Sequence, residues 1–288
     1  MDLSLFNNQK PEPIPLPGVS LSARQRARLR GWVLVAAGTP LLALLLLPIL
    51  ALLLQTSPLT LVRYLGERTT LQAIGLSLGT STTTTIVVIV FGTPLAYLLA
   101  RRRLRLRRLI EALIDLPTVL PPAVAGLALL IAFGRRGLIG SWLQAAGIEV
   151  AFTPLAVVLA QMFVAASYYV KTSEVGLAGV SSDLEQAAAL DGAGPLQVFR
   201  HITLPLAWRG IVGGAALCWA RALGEFGATI IFAGNYPGRT QTMPLAVYLG
   251  FEIDLNQALT LAAILLVLSF GILITIRAIL RDAPEPVC

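Results

Sequence analysis

Long apolar stretches separated by short polar ones dominate this chain. The stretches run over residues 32–54, 71–100, 116–133, 153–170, 211–234 and 255–276, and only the fifth contains charged side chains. A hydrocarbon core about 30 Å thick takes roughly 20 helical residues at about 1.5 Å each, so every stretch has about the length of a membrane-spanning helix. Segments such as 41–47 and 262–268 are apolar without alternation, unlike the period-two strands of a membrane barrel. The pattern predicts an all-α, polytopic membrane protein with about six transmembrane helices.

Two stretches carry unusual residues. The second contains the run Thr80, Ser81, Thr82, Thr83, Thr84, Thr85, and the third is interrupted by Pro117, Pro121 and Pro122. Hydroxyls inside a helix bond back to the preceding turn, so the threonine run fits either helix packing or a path lining. The prolines predict a kink facing other helices, where neighbours satisfy the freed carbonyls.

Composition agrees with lipid as the solvent: of 288 residues, 56% are hydrophobic and 13% charged. Residues 1–31 form a leader, partly disordered because Pro11, Pro13, Pro15 and Pro17 stand among polar neighbours. A transmembrane domain over 32–280 and a short tail over 281–288 complete the expected organisation. The first apolar stretch is longer than a signal-peptide core of about 7–15 residues and lacks a cleavage site, so it reads as a true span.

The net charge of +7 is a matter of orientation rather than of nucleic acid, which is not an expected partner. Arg101, Arg102, Arg103, Arg105, Arg107 and Arg108 follow the second stretch, and Arg24, Arg26, Arg28 and Arg30 precede the first. The alternate loops hold only Arg63 and Arg68, Arg135 and Arg136, and Arg239, which places both termini in the cytoplasm. Cys218 lies inside a span and Cys288 ends the chain, so neither suggests a disulfide or a metal site.

The loop 181–205 is the one cytoplasmic connection long enough to fold. Ser182 followed by Glu185 has the spacing of a capping box, Ala187, Ala188 and Ala189 propagate a helix of about two turns, and Gly192 ends it. Pro195 opens a second helix over 196–202, which Pro205 terminates. Helices this short are marginal alone, so they are held by the chain's own spans or by another protein.

The loop resembles the EAA loop of ABC importer permeases, whose slots fall here on Gln186, Ala187, Ala188, Gly192, Ile202, Leu204 and Pro205. The acidic slot holds glutamine, with Glu185 one position earlier. The resemblance implies that the first short helix inserts into a groove on a dimer of cytoplasmic ATPase subunits, where ATP and Mg are bound. This chain has no G-x-x-x-x-G-K-[ST] phosphate loop, so it is expected to be a transporter subunit without cofactor, metal or catalysis of its own.

The fifth stretch carries Arg221 and Glu225 four residues apart, on one face of a continuous helix, with Thr229 a turn further. Arg221 and Glu225 fit either a neutralising pair that locks helices together or a place beside a gate or pathway; intramembrane charge usually faces a cavity or a bundle interior, which favours the second and makes these residues gate or pathway candidates. Segments 224–229 and 235–240 are similar to the molybdate and sulfate branch of these permeases, and closer to the molybdate members. That resemblance implies a tetrahedral oxyanion, molybdate or tungstate, an external oxyanion-binding protein, and a second permease chain, usually an identical one. The turn with Asn235 and Arg239 is external by the charge pattern and fits either a contact with that binding protein or a simple solvated turn. A sulfate or thiosulfate permease is the alternative solute reading. An ion-coupled secondary carrier using Arg221 and Glu225 is the rival mechanism, and it leaves the loop 181–205 unexplained. An intramembrane enzyme is weaker still, since His201 has no nucleophile or metal cluster nearby in the sequence.

Overall fold

The computed structural model describes residues 23–102 and 105–281. The leader up to residue 22 and the tail from residue 282 lie outside the described residues. The described chain is helical throughout: α1 (Ala23–Gln55), α2 (Pro58–Leu65), α3 (Arg68–Arg101), α4 (Arg107–Val119), α5 (Pro122–Phe133), α6 (Gly140–Ala145), α7 (Pro154–Ala178), α8 (Ser182–Leu190), α9 (Pro195–Val198), α10 (Leu204–Leu223), α11 (Gly227–Phe232), α12 (Met243–Ile253) and α13 (Leu255–Arg281). A π turn at Phe199–Thr203 joins α9 to α10 without a break. Helix α1 begins at Ala23, before the first apolar stretch.

Proline sets several of these starts. Pro58, Pro122, Pro154 and Pro195 each occupy the first helical position, where a fixed φ helps and the missing N–H goes unneeded. Thr153 caps α7 by accepting from the Ala156 amide.

Five stretches among the described residues are long and apolar enough to cross a bilayer: Ala36–Gln55, Arg68–Arg101, Pro154–Ala178, Pro195–Leu223 and Leu255–Thr275. The pair α4–α5 makes a sixth, bent by 115° where Leu120 and Pro121 interrupt it. The total agrees with the hydropathy pattern, but two spans differ in form. The third begins well before residue 116, at Arg107, and turns sharply at its prolines. The fifth is not one helix over 211–234: it begins at Pro195, stops at Leu223, and resumes as the short α11.

Helix α1 as far as Ala51 is a unit by itself; the packing below belongs to the second unit, from Leu52 onward. Its centre is α3, α7 and α10, which share a buried cluster including Leu99, Tyr169, Leu177, Ala207 and Ala222. Lipid gives helices no hydrophobic reason to associate, so close packing of small residues carries the contact. A Cβ placed on Gly210 of α10 would lie 2.6 Å from the Gly176 Cα of α7, and one on Gly214 would lie 2.9 Å from Ser173 Oγ. The two backbones meet there.

The threonine run contributes to this packing. Gln161 of α7 is buried, donates to Thr80 Oγ1 at 3.1 Å and accepts from Thr84 Oγ1 at 3.0 Å. Thr85 bonds back to the Ser81 carbonyl at 2.8 Å, and Trp219 Nε1 donates to the more exposed Thr82 at 3.2 Å. At the far end of the chain, Asp254 caps α13 through the Asn256 amide and accepts from the Tyr64 hydroxyl at 2.6 Å, tying α2 to the α12–α13 junction.

Candidate functional site

Two places bring the sequence-derived candidates together: the loop 181–205 and the joint between α10 and α11. In the loop, the helix cap differs from the expected one. Ser181, not Ser182, is the N-cap; its Oγ accepts from the Asp183 amide at 3.2 Å, and Ser182 is already helical. No Ser182–Glu185 capping box forms, because Glu185 has stronger partners elsewhere. Its Oε1 lies 3.0 Å from Arg101 Nη2 and accepts from Thr203 Oγ1 at 2.5 Å. A guanidinium, which is charged itself, outweighs a neutral amide donor for the same carboxylate.

Glu185 therefore turns toward the membrane helices of its own chain, while the rest of α8 is open. No residue of α8 is buried, and Leu184 and Leu190 stand 50% and 90% exposed. Gln186 and Ala187 are exposed and Ala188 is half-buried. After α8, Gly192 takes φ 91°, the left-handed conformation that glycine adopts without steric penalty.

The second half of the loop corrects the expectation of a separate helix ended by Pro205. Gln197 accepts from the Gly194 amide at 2.8 Å at the start of α9, and the helix then continues through the π turn into α10. Pro205 stands in the first turn of α10. A proline ring inside a helix collides with the carbonyl four residues back, and the widened turn just before it, in which the Leu204 amide reaches the Phe199 carbonyl, supplies the room. Ile202 and Leu204 are half-buried along this rod, and His201 stays exposed.

At the joint, Arg221 is in the last turn of α10 and Glu225 lies beyond the helix end, so the pair does not share one continuous helix. Gly224 ends α10, and Phe226 leaves the helical region at φ −127°, ψ −54°. The ion pair forms nonetheless: Arg221 Nη1 is 2.8 Å from Glu225 Oε2, and Glu225 Oε1 accepts from the Ala228 amide at 2.8 Å. Glu225 is 1% exposed and both its oxygens are engaged. Thr229 is buried in the first turn of α11, its hydroxyl without a partner among the described residues.

Glycine sets this joint against the bend of the third span. A Cβ on Gly227 would fall 2.5 Å from Pro122 Cβ, and one on Gly126 would fall 2.7 Å from the Ala228 carbonyl oxygen. The two interrupted spans thus meet at their interruptions. Beyond α11, Gly234 and Gly238 take positive φ, Asn235 Nδ2 donates to the Leu245 carbonyl at 3.3 Å, and Arg239 is exposed.

Sequence reasoning missed three groups. Arg101 reads as one more positive loop charge until Glu185 is placed beside it. Gln161 lay unremarked in an apolar stretch, although a lone amide there is itself a signal. Charges just outside the predicted spans also face one another: Arg107 bridges Glu111 at 2.7 Å and Glu174 at 3.1 Å, and Lys171 meets Asp115 at 3.2 Å.

Comparison with known proteins follows the same lines. A family model described as binding-protein-dependent transport system inner membrane component matches residues 92–279. A molybdenum transport system permease protein of Mycobacterium bovis is 46% identical over 206 residues, covering 72% of this chain and 78% of that protein. A probable transport system permease protein of Clostridium pasteurianum is 36% identical over 240 residues, 83% of this chain and 84% of that protein. Among solved structures, that of a bacterial ABC transporter involved in the import of the acidic polysaccharide alginate matches with a TM-score of 0.71, covering 90% of this chain and 99% of that one. At 14% identity this last likeness concerns the fold.

Proposed function

Since the chain belongs to the inner membrane components of binding-protein-dependent transport systems and is a permease subunit of an ABC importer, we propose that it carries a tetrahedral oxyanion into the cytoplasm by alternating access. Molybdate is the first candidate and tungstate the second. The observation that carries this reading is the 46% identity to a mycobacterial protein named for molybdenum transport. Hydrolysis of ATP, with Mg, takes place on a separate ATPase dimer. An external oxyanion-binding protein delivers the solute, and a second copy of the permease completes the pathway. Both termini then face the cytoplasm.

The loop geometry supports the powering half of the proposal. Helix α8 offers Leu184 and Leu190 outward, and the start of α9 adds Leu196, which is 77% exposed. Apolar side chains on a short, capped helix suit a groove on a partner protein. Gln186, Ala187, Ala188 and Gly192 form that contact, while Ile202, Leu204 and Pro205 carry the motion into α10. At the joint, both oxygens of Glu225 are occupied, so this residue braces a gate near Thr229 rather than meeting the anion. Asn235 and Arg239 lie on the turn that faces the binding protein.

The test uses the complete complex in proteoliposomes with its binding protein. Molybdate is expected to stimulate ATP hydrolysis more than tungstate or sulfate, and uptake should require ATP. Uptake that persists without ATP, or after deletion of residues 183–204, overturns the proposal in favour of an ion-coupled carrier.

A further inference from the structure

Helix α8 exposes nearly everything except one carboxylate. Glu185 is 15% exposed and receives two donors from two different elements: Arg101, the last residue of α3, and Thr203, at the end of the π turn that enters α10. The same Arg101 Nη2 also donates to the Val180 carbonyl at 2.9 Å, just past the end of α7. One guanidinium thus holds the ends of α3 and α7, the side chain of α8 and, through the shared carboxylate, the start of α10. The ground beneath is firm: Leu99, Leu177 and Ala207 are fully or almost fully buried, and Tyr97 packs edge-on to Phe199 with ring centroids 5.2 Å apart.

We propose that Arg101 is a positioning residue for energy coupling: by holding Glu185 against Thr203 and the Val180 carbonyl, it makes α8 move as one body with the ends of α3, α7 and α10. The proposal rests on the reading of the loop 181–205 as the ATPase-docking element, and adds what fixes that element from behind. Without the latch, α8 is a short helix with no buried residue. Such a helix still docks, but swings on the membrane helices instead of driving them. A charge-assisted bond contributes enough to change a coupling equilibrium about tenfold.

The complex of permease, ATPase and binding protein, reconstituted in proteoliposomes, reads this directly as solute imported per ATP hydrolysed. The solute is whichever of molybdate, tungstate or sulfate the unaltered complex transports. Arg101→Gln should retain the ATPase on the purified permease while lowering solute per ATP about tenfold. Arg101→Lys should lose less, because it keeps the charge. The exchanged pair Arg101→Glu with Glu185→Arg should recover part of the loss, because it restores the ion pair but leaves the Val180 carbonyl without its donor. An unchanged ratio in Arg101→Gln overturns the proposal, and so does an exchanged pair that recovers nothing. If the unaltered loop fails to retain the ATPase at all, the reading of 181–205 falls as well; retention with an unchanged ratio removes the latch alone.

Discussion

At the scale of the residue, the most consequential groups are ionised side chains kept from water. Glu225 is held by Arg221 and by the Ala228 amide at 1% exposure, so Glu225→Gln leaves the guanidinium facing a neutral amide. Loss of such a buried partner costs about 1–3 kcal/mol. Lower thermal stability in detergent and slower transport are expected, with the relative transport of molybdate, tungstate and sulfate unchanged when the binding protein is held constant. Asp254 differs, because it lies at the surface between α12 and α13. The Tyr64 hydroxyl beside it holds its carboxyl below the ordinary carboxylate range, and the same bond holds the Tyr64 phenol above its own. A depressed carboxylate contributes stability above its unfolded pKa, about 4, and loses it as pH falls through the folded value. Unfolding scans of Tyr64→Phe should therefore show a deficit at neutral pH that shrinks in acid. Glu225 was legible in the sequence because charge inside an apolar stretch stands out. Arg101 was not: a basic residue at a span's end satisfies topology already, and its partner lies far along the chain.

At the scale of the element, glycine and proline decide where helices stop and how near they come. A side chain at Gly126 collides with the Ala228 carbonyl oxygen, so Gly126→Val should separate α5 from α11. Overpacking of this kind costs about 1–3 kcal/mol, measurable as a lower midpoint of thermal unfolding. Gly192 presents the opposite case. Nothing lies within 4 Å of a Cβ placed there, yet its φ of 91° is left-handed. A substitution acts through the backbone at about 1–2 kcal/mol rather than through a clash, so Gly192→Val should impair solute-stimulated ATP hydrolysis more than Gly192→Asn, which tolerates that conformation. The bend before Pro122 was legible from its prolines. The stop at Gly224 was not, since small and apolar residues resume beyond Arg221 and Glu225 on either side and hydropathy runs through it. The π turn was equally hidden, because a proline in the first turn reads as a terminator when it only needs a wider turn.

At the scale of the whole molecule, the number of spans followed from composition, as lipid leaves the backbone few alternatives. Which spans touch did not, since apolar surfaces are interchangeable in hydrocarbon and the contacts depend on a few small or amide side chains such as Gly176, Gly210 and Gln161. The proposed orientation is open to a direct check. A single Arg239→Cys should react with a membrane-impermeant maleimide in intact cells, whereas Leu190→Cys should react only after the membrane is opened; the reverse pattern would invert the topology.

The unbroken helix from Pro195 to Leu223 has a further consequence, of stiffness. At about 1.5 Å per residue its 29 residues span roughly 43 Å, with one end inside the loop and the other at Gly224. Between those ends it lies backbone to backbone against α7, which braces it against buckling. A push on the loop is therefore delivered along a shaft, and compliance is concentrated in the few residues from Gly224 to Phe226. Softening the shaft in its middle should uncouple the two ends as effectively as damaging either one.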